Sequence, residues 1–237
     1  MSTEVATDDV RARLALALDV DDLVEATRLA RQMKDWFGVA KIGLELYTTA
    51  GPDAIGSLVD LGYEVFCDLK LYDIPNTVER TAHVLGALGV SYLTLHAHGG
   101  QSVLEAGVEG LARGADNAGL PAPKALAVTV LTSDSDAPPH IMPKRTALAI
   151  ESGCQGIVCA AEDLDDARQL APRLVRVVPG IRPEGTDHHD QSRAATPTTA
   201  VSHGADLLVV GRAVTQADDP AAAASAIAAE VDRALDR

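Results

Sequence analysis

A chain of 237 residues suits one large α/β domain or two small ones. Lys and Arg number 20 against 34 Asp and Glu, a formal net charge of −14, which disfavours non-specific nucleic-acid binding because that is driven by neutralising phosphates. No apolar stretch reaches the roughly 18 residues of a membrane-spanning helix, and the first 13 residues form a polar, acidic lead without the apolar centre of a signal peptide.

Short apolar runs alternate with helical patterns along the whole chain. Residues 14–18 form a strand ending at Asp19, and 20–34 carry Leu23, Ala26, Thr27 and Ala30 at helical spacing. A second strand is expected over 39–43 and a helix over 52–61. The third strand covers 64–70, and the helix after it covers 76–88, with Asn76 as its cap. A fourth strand over 91–96 leads through Gly99-Gly100 into a helix ending at Ala112. The fifth strand spans 124–130, followed by a loop rich in Asp, Ser and Pro and a helix over 144–152. The remaining strands are 156–160, 174–178 and 206–210, and the remaining helices 162–170, 198–203 and 221–235. Eight βα units in order, with strands apolar on both faces and no change in composition, predict a single (β/α)8 TIM barrel over residues 1–237. Aromatic residues make up only 3%, so Ala, Val, Leu and Ile must fill its core. The three cysteines, Cys67, Cys154 and Cys159, lack a zinc spacing and read as small buried hydrophobes in a reduced, cytoplasmic compartment.

Function in such a barrel collects at the C-terminal ends of the strands, where this sequence concentrates its charge. Asp19 ends the first strand, Lys41 lies in the second, Asp68 and Lys70 end the third, and Asp73 follows in the loop. Residues two apart in a strand share a face, so Asp68 and Lys70 point together while Leu69 points away. Buried charges need partners, and Lys41, Asp68, Lys70 and Asp73 are suited to compensate one another. One such pair reads equally well as an internal ion-pair network; four charges converging on the functional face point to catalysis. Lys70 is flanked by carboxylates rather than by the apolar or cationic surroundings of a Schiff-base lysine, which suits it to proton donation and to stabilising negative charge. His96, by contrast, reads as a packed histidine at a strand end.

A second constellation lies in the final third. Pro179-Gly180-Ile181-Arg182 and Gly211-Arg212-Ala213 end the seventh and eighth strands in glycine turns, the place where barrels often bind phosphate. Arg212 adds a bidentate donor. The competing reading is two ordinary turns with exposed arginines. Residues 182–195 make a long polar connection with the length of a lid, or of a plain surface loop.

The run Asp68-Leu69-Lys70-Leu71-Tyr72-Asp73-Ile74-Pro75-Asn76-Thr77 closely resembles the D-x-K-x-x-D-I-P-x-T signature of the orotidine 5′-phosphate decarboxylase family. Leu16-Ala17-Leu18-Asp19, Lys41-Ile42-Gly43, the segment from Leu95 to Gly100, the segment from Ala127 to Ser133, Pro179–Arg182 with Asp190-Gln191, and Val210–Val214 resemble its other landmarks in order. The resemblance implies decarboxylation of orotidine 5′-monophosphate to UMP in pyrimidine biosynthesis, with no metal or organic cofactor. It implies Lys70 as the proton donor, Asp68 beside the departing carboxylate, and Lys41 and Asp73 completing the charged network. Asp19 and Lys41 are matched to the ribose, Thr132 to the pyrimidine, and Arg182, Gln191, Gly211 and Arg212 to the phosphate, with Ile74 in the substrate-binding signature. A homodimer is implied, in which Asp73 and Thr77 reach the neighbouring site. His98 and His188-His189 depart from the family pattern. Two rival readings remain: a Mg2+-dependent sugar-phosphate lyase of a related barrel group that shares D-x-K-x-x-D, and a catalytically silent nucleotide-phosphate binder on the same fold.

Overall fold

The computed structural model describes residues 5–134, 136–183 and 195–236. Eight parallel strands close into one barrel in chain order: β1 (Leu14–Leu18), β2 (Val39–Ile42), β3 (Glu64–Leu71), β4 (Val90–His96), β5 (Lys124–Val128), β6 (Gly156–Val158), β7 (Val175–Val178) and β8 (Leu207–Val210). β1 pairs with both β2 and β8, which closes the ring. The expected single-domain (β/α)8 barrel is therefore present.

The helices are α1 (Asp8–Ala12), α2 (Leu23–Met33), α3 (Leu44–Ala50), α4 (Pro52–Asp60), α5 (Pro75–Ala87), α6 (Gln101–Asn117), α7 (Ile141–Glu151), α8 (Leu164–Leu170), α9 (Pro197–Ser202), α10 (Arg212–Thr215) and α11 (Pro220–Leu235). Side-chain oxygens fix several of their starts: Asp22 accepts from the Glu25 amide at 2.7 Å and Asp219 from the Ala222 amide at 3.0 Å. Asn76 caps nothing, contrary to the sequence expectation. Helix α5 begins one residue earlier, at Pro75, with Ile74 in the cap position and no side-chain cap. Proline takes the first helical place because its fixed φ suits it and its missing N–H would have no partner there. The fourth helix also runs on past Ala112 to Asn117, and part of the polar lead, Asp8–Ala12, is helical, with Val10 buried in the core.

Alternation along each strand sorts the core into two layers. Leu14, Leu16 and Leu18 face the helices, as do Ala40, Ile42, Val65, Cys67, Leu93 and Leu95. Ala15, Ala17, Val39, Phe66, Tyr92, Leu126, Val177 and Val209 fill the barrel interior. Lys41, Asp68 and Thr94 follow Val39, Phe66 and Tyr92 at two-residue spacing, so the barrel's own periodicity directs them inward, toward the C-terminal mouth. The opposite end is closed by polar groups: the Tyr92 hydroxyl donates to Glu64 at 2.8 Å, and Arg176 pairs with Asp206 at 2.8 Å.

Helices α5 and α6 lie unusually close. A β-carbon added at Gly110 would meet the Glu79 carbonyl oxygen at 2.2 Å, and one added at Gly86 would meet that of Leu111 at 2.2 Å. Glycine is required there by backbone contact rather than by φ. This packing seats α5, which carries the second half of the signature.

Candidate active site

A cavity of about 350 Å3 opens at the C-terminal mouth of the barrel. Asp19, Lys41, Asp68, Lys70, Thr132, Arg182, Gly211 and Arg212 all line it, although they come from six different βα units. Its floor is apolar, made by Ala17, Phe66, Val128, Val158, Val177 and Val209, the upper interior layer of the strands. Such a floor suits the flat face of a planar ring, and the polar rim offers fixed hydrogen-bonding groups.

Four charges alternate in sign across one side. The Lys41 ammonium donates to Asp19 at 2.9 Å and stands 3.8 Å from Asp68. Lys70 reaches both oxygens of Asp68 at 2.9 Å. The Lys41 side chain is only 9% exposed, so both carboxylates are needed to offset its desolvation. Gly43 borders the array: a β-carbon there would lie 2.9 Å from Asp19 Oδ1 and 3.3 Å from Lys41 Nζ.

Lys70 arrives by a less regular route than strand alternation. β3 and β4 pair Cys67 with Leu93 and then Leu71 with Leu95, so three residues of β3 bulge out opposite one of β4. Within that bulge Lys70 has φ 49°, alone among the described non-glycine residues in the left-handed region. An L-residue there costs about 1–2 kcal/mol. The Lys70 amide donates to Thr94 Oγ1 at 2.8 Å, which gives the turned backbone a partner.

The structure separates three signature residues from the cavity. Asp73 joins neither lysine; its carboxylate accepts from the Ile74 amide at 2.7 Å. Asp73 and Thr77 line a surface groove beside α5 that Lys70 also borders, and Ile74 is 64% exposed. Within one chain the charged array is therefore Asp19, Lys41, Asp68 and Lys70. Gln191 and the paired histidines His188 and His189 lie outside the described residues. The ends of the long connection that contains them meet at the cavity rim, where the Arg182 amide donates to the Ala195 carbonyl at 2.9 Å.

His98, the unexpected histidine, stacks edge-on against Tyr72 at 5.6 Å between ring centroids and contacts Arg145 through Nδ1 at 3.0 Å. His96 accepts from the His98 amide at 3.2 Å, so it holds a turn. Burial pushes its pKa below the ordinary histidine value, and Arg145, His98 and Lys70 push the same way. All three cysteines are buried with their thiols pushed up to about 12, chiefly by burial, so they serve as core groups rather than nucleophiles.

Sequence reading missed Thr94 and the apolar floor. Both carried a signal, because they stand two residues beyond inward-facing positions. Arg145 carried none: it lies 47 positions from its partner His98.

A family model described as the orotidine 5′-phosphate decarboxylase / HUMPS family matches residues 12–227. An orotidine 5′-phosphate decarboxylase of Moorella thermoacetica is 40% identical over 232 residues, covering 93% of this chain and 92% of that protein. One from Anaeromyxobacter sp. (strain K) is 45% identical over 228 residues, covering 92% and 97%. The crystal structure of orotidine 5′-phosphate decarboxylase from Lactobacillus acidophilus superposes with a TM-score of 0.77 at 34% identity, covering 92% of this chain and 98% of that one.

Proposed function

This chain belongs to the orotidine 5′-phosphate decarboxylase / HUMPS family, and on that premise we propose that it converts orotidine 5′-monophosphate to UMP and carbon dioxide. The observation that carries this reading is the alternating array of Asp19, Lys41, Asp68 and Lys70 over an apolar floor, with Arg182 and Arg212 across the same cavity.

The phosphate is held by Arg182, Arg212 and the backbone at Gly211, with Gln191 assigned to it by the family pattern. The ribose hydroxyls meet Asp19 and Lys41. The pyrimidine lies on Phe66, Val128, Val158 and Val177, with Thr132 at its polar edge. This pose turns C6 and its carboxylate toward Asp68 and Lys70. Cleavage of the C6–carboxylate bond leaves the electron pair on C6 and releases carbon dioxide. The Lys70 ammonium, fixed by Asp68, faces that developing charge and then gives C6 a proton; Lys70 recovers its proton from water. Because ammonium and cavity are in place before the charge forms, little reorganisation accompanies the step. Phosphate contacts remote from C6 supply binding energy for alignment.

The Mg2+-dependent alternative fits less well. A divalent cation at Asp68 would sit between two ammonium groups, at 2.9 and 3.8 Å from the carboxylate. The named decarboxylase relatives match nearly their whole length as well.

A homodimer in the cytoplasm completes the proposal, with Asp73 and Thr77 serving the neighbouring subunit's cavity. Tyr72 and Ile74, 59% and 64% exposed, flank Asp73 and present an apolar surface to a second copy. Among the described residues no helix is long and apolar enough to cross a membrane.

The decisive experiment follows loss of orotidine 5′-monophosphate absorbance with purified protein in EDTA, alongside Lys70→Ala. Turnover by the wild type that falls at least about 1,000-fold in the variant is expected, the scale of losing a fixed charge at the reacting atom. Turnover abolished by EDTA would favour the metal-dependent reading, and no turnover with or without EDTA would refute the decarboxylase.

A further inference from the structure

We infer that Thr94 is a positioning residue for the proton donor: its hydroxyl sets the left-handed turn at Lys70 and orients the carboxylate that holds the Lys70 ammonium. The inference deepens the decarboxylase reading and rests on it for its catalytic consequence. It concerns a residue on β4, outside the D-x-K-x-x-D-I-P-x-T run.

Thr94 is fully buried in the barrel wall, between Asp68 on β3 and Leu126, its inward-facing register partner on β5. A hydroxyl has one proton to donate and lone pairs to accept with. Here Oγ1 accepts from the Lys70 amide at 2.8 Å and donates to Asp68 Oδ1 at 3.0 Å. Asp68 in turn receives Lys70 Nζ on both oxygens at 2.9 Å. One side chain thus ties together the backbone and, through Asp68, the head group of the same lysine.

Each half of this link has a reason to exist. The bulge between Cys67 and Leu71 takes the Lys70 amide out of the regular β3–β4 ladder, and a buried N–H without a partner is costly. The φ of 49° is unfavourable for an L-residue and persists only where its surroundings over-determine it. Asp68, pulled toward Lys70 on one side and Lys41 on the other, needs a third, uncharged donor to fix its rotation. An apolar residue of equal size at position 94 would fill the space and supply neither hydrogen bond.

Thr94→Val, nearly isosteric, tests this against Thr94→Ser, which keeps the hydroxyl. Thr94→Val is expected to lower kcat for orotidine 5′-monophosphate about 100-fold, the scale of a misplacement near 1 Å at a reacting group, while KM and the affinity for UMP stay within about threefold. Thr94→Ser is expected to retain kcat within about threefold of wild type, because both hydrogen bonds remain. Amide exchange at Lys70 gives a readout that needs no turnover: protected in wild type and Thr94→Ser, and at least about 10-fold faster in Thr94→Val. Thr94→Ala carries the same expectation, so a failure of the valine variant to fold leaves the test intact. Wild-type kcat in Thr94→Val, equal impairment of the valine and serine variants, or unchanged Lys70 exchange would each overturn the inference. Absence of decarboxylation by the wild type would instead refute the activity, and Lys70 exchange in the variants would still decide whether Thr94 sets the turn.

Discussion

At residue scale the site is a problem of holding like and unlike charges at fixed spacing. Lys41 sits between Asp19 at 2.9 Å and Asp68 at 3.8 Å, and nothing bulky separates this array from the turn at Gly43. A methyl group at Gly43 would press on Asp19 Oδ1 and Lys41 Nζ, both ends of side chains that can swing aside. Gly43 has φ −86°, so alanine introduces no backbone strain. Gly43→Ala should therefore leave thermal stability within about 2 °C while lowering kcat/KM about 10- to 100-fold, because displaced charges no longer meet the substrate in register. A thermal melt and initial-rate kinetics on the same preparation check this; wild-type kinetics would mean that the array tolerates displacement.

At the scale of elements, the placement of α5 depends on glycine in the helix it packs against. β-carbons at Gly110 and Gly114 would fall 2.2 and 2.0 Å from the Glu79 and His83 carbonyl oxygens, backbone atoms that cannot move without shifting α5. Gly114→Ala gains helix propensity worth about 1 kcal/mol but must part the two helices, and overpacking of this kind commonly costs about 1–3 kcal/mol or more. The expected result is a fall in melting temperature of several degrees, about 2–4 °C per kcal/mol for a chain of this size. Gly56 in α4 is the internal control: it is exposed, and an added β-carbon there meets nothing within 4 Å. Gly56→Ala should raise stability by about 0.5–1 kcal/mol. Calorimetry of the two variants separates contact from propensity, and a stabilised Gly114→Ala would contradict the close packing described.

At the scale of the molecule, a chain of net charge −14 presents Lys41, Lys70, Arg182 and Arg212 in one cavity, so an anionic substrate meets local positive groups despite the global charge. The signature is also divided: Asp68 faces this cavity, Asp73 and Thr77 line a surface groove beside it, and Lys70 borders both. The proposed exchange of Asp73 between subunits makes a quantitative prediction. Lys70→Ala and Asp73→Asn, each nearly inactive alone, should recover activity when unfolded and refolded together, since a hybrid dimer contains one intact site. Random pairing sets the ceiling at about one quarter of wild type, as half the dimers are hybrid and each has one good site of two. No recovery in mixtures that native mass spectrometry shows to contain the hybrid dimer would place Asp73 in its own subunit's chemistry.

Short, nearly continuous apolar runs made the strands legible in sequence, and the order of eight βα units made the barrel legible with them. Period-two spacing put Asp68 and Lys70 on one face, and the D-x-K-x-x-D-I-P-x-T run identified the chemistry, because these are patterns among near neighbours in the chain. Helix α10, of four residues, spans little more than one turn and offers no period to register. The left-handed backbone at Lys70 left no trace, since lysine has no preference for it and the bulge depends on β4. Thr94 lies 24 positions from the amide it holds, and Gly110 31 positions from Glu79. Contacts over such separations are fixed by strand register and barrel closure, which involve every strand at once. Local pattern settles which face a residue takes; only the closed barrel brings Thr94 to Lys70, gathers six βα units around one cavity and leaves Asp73 outside it.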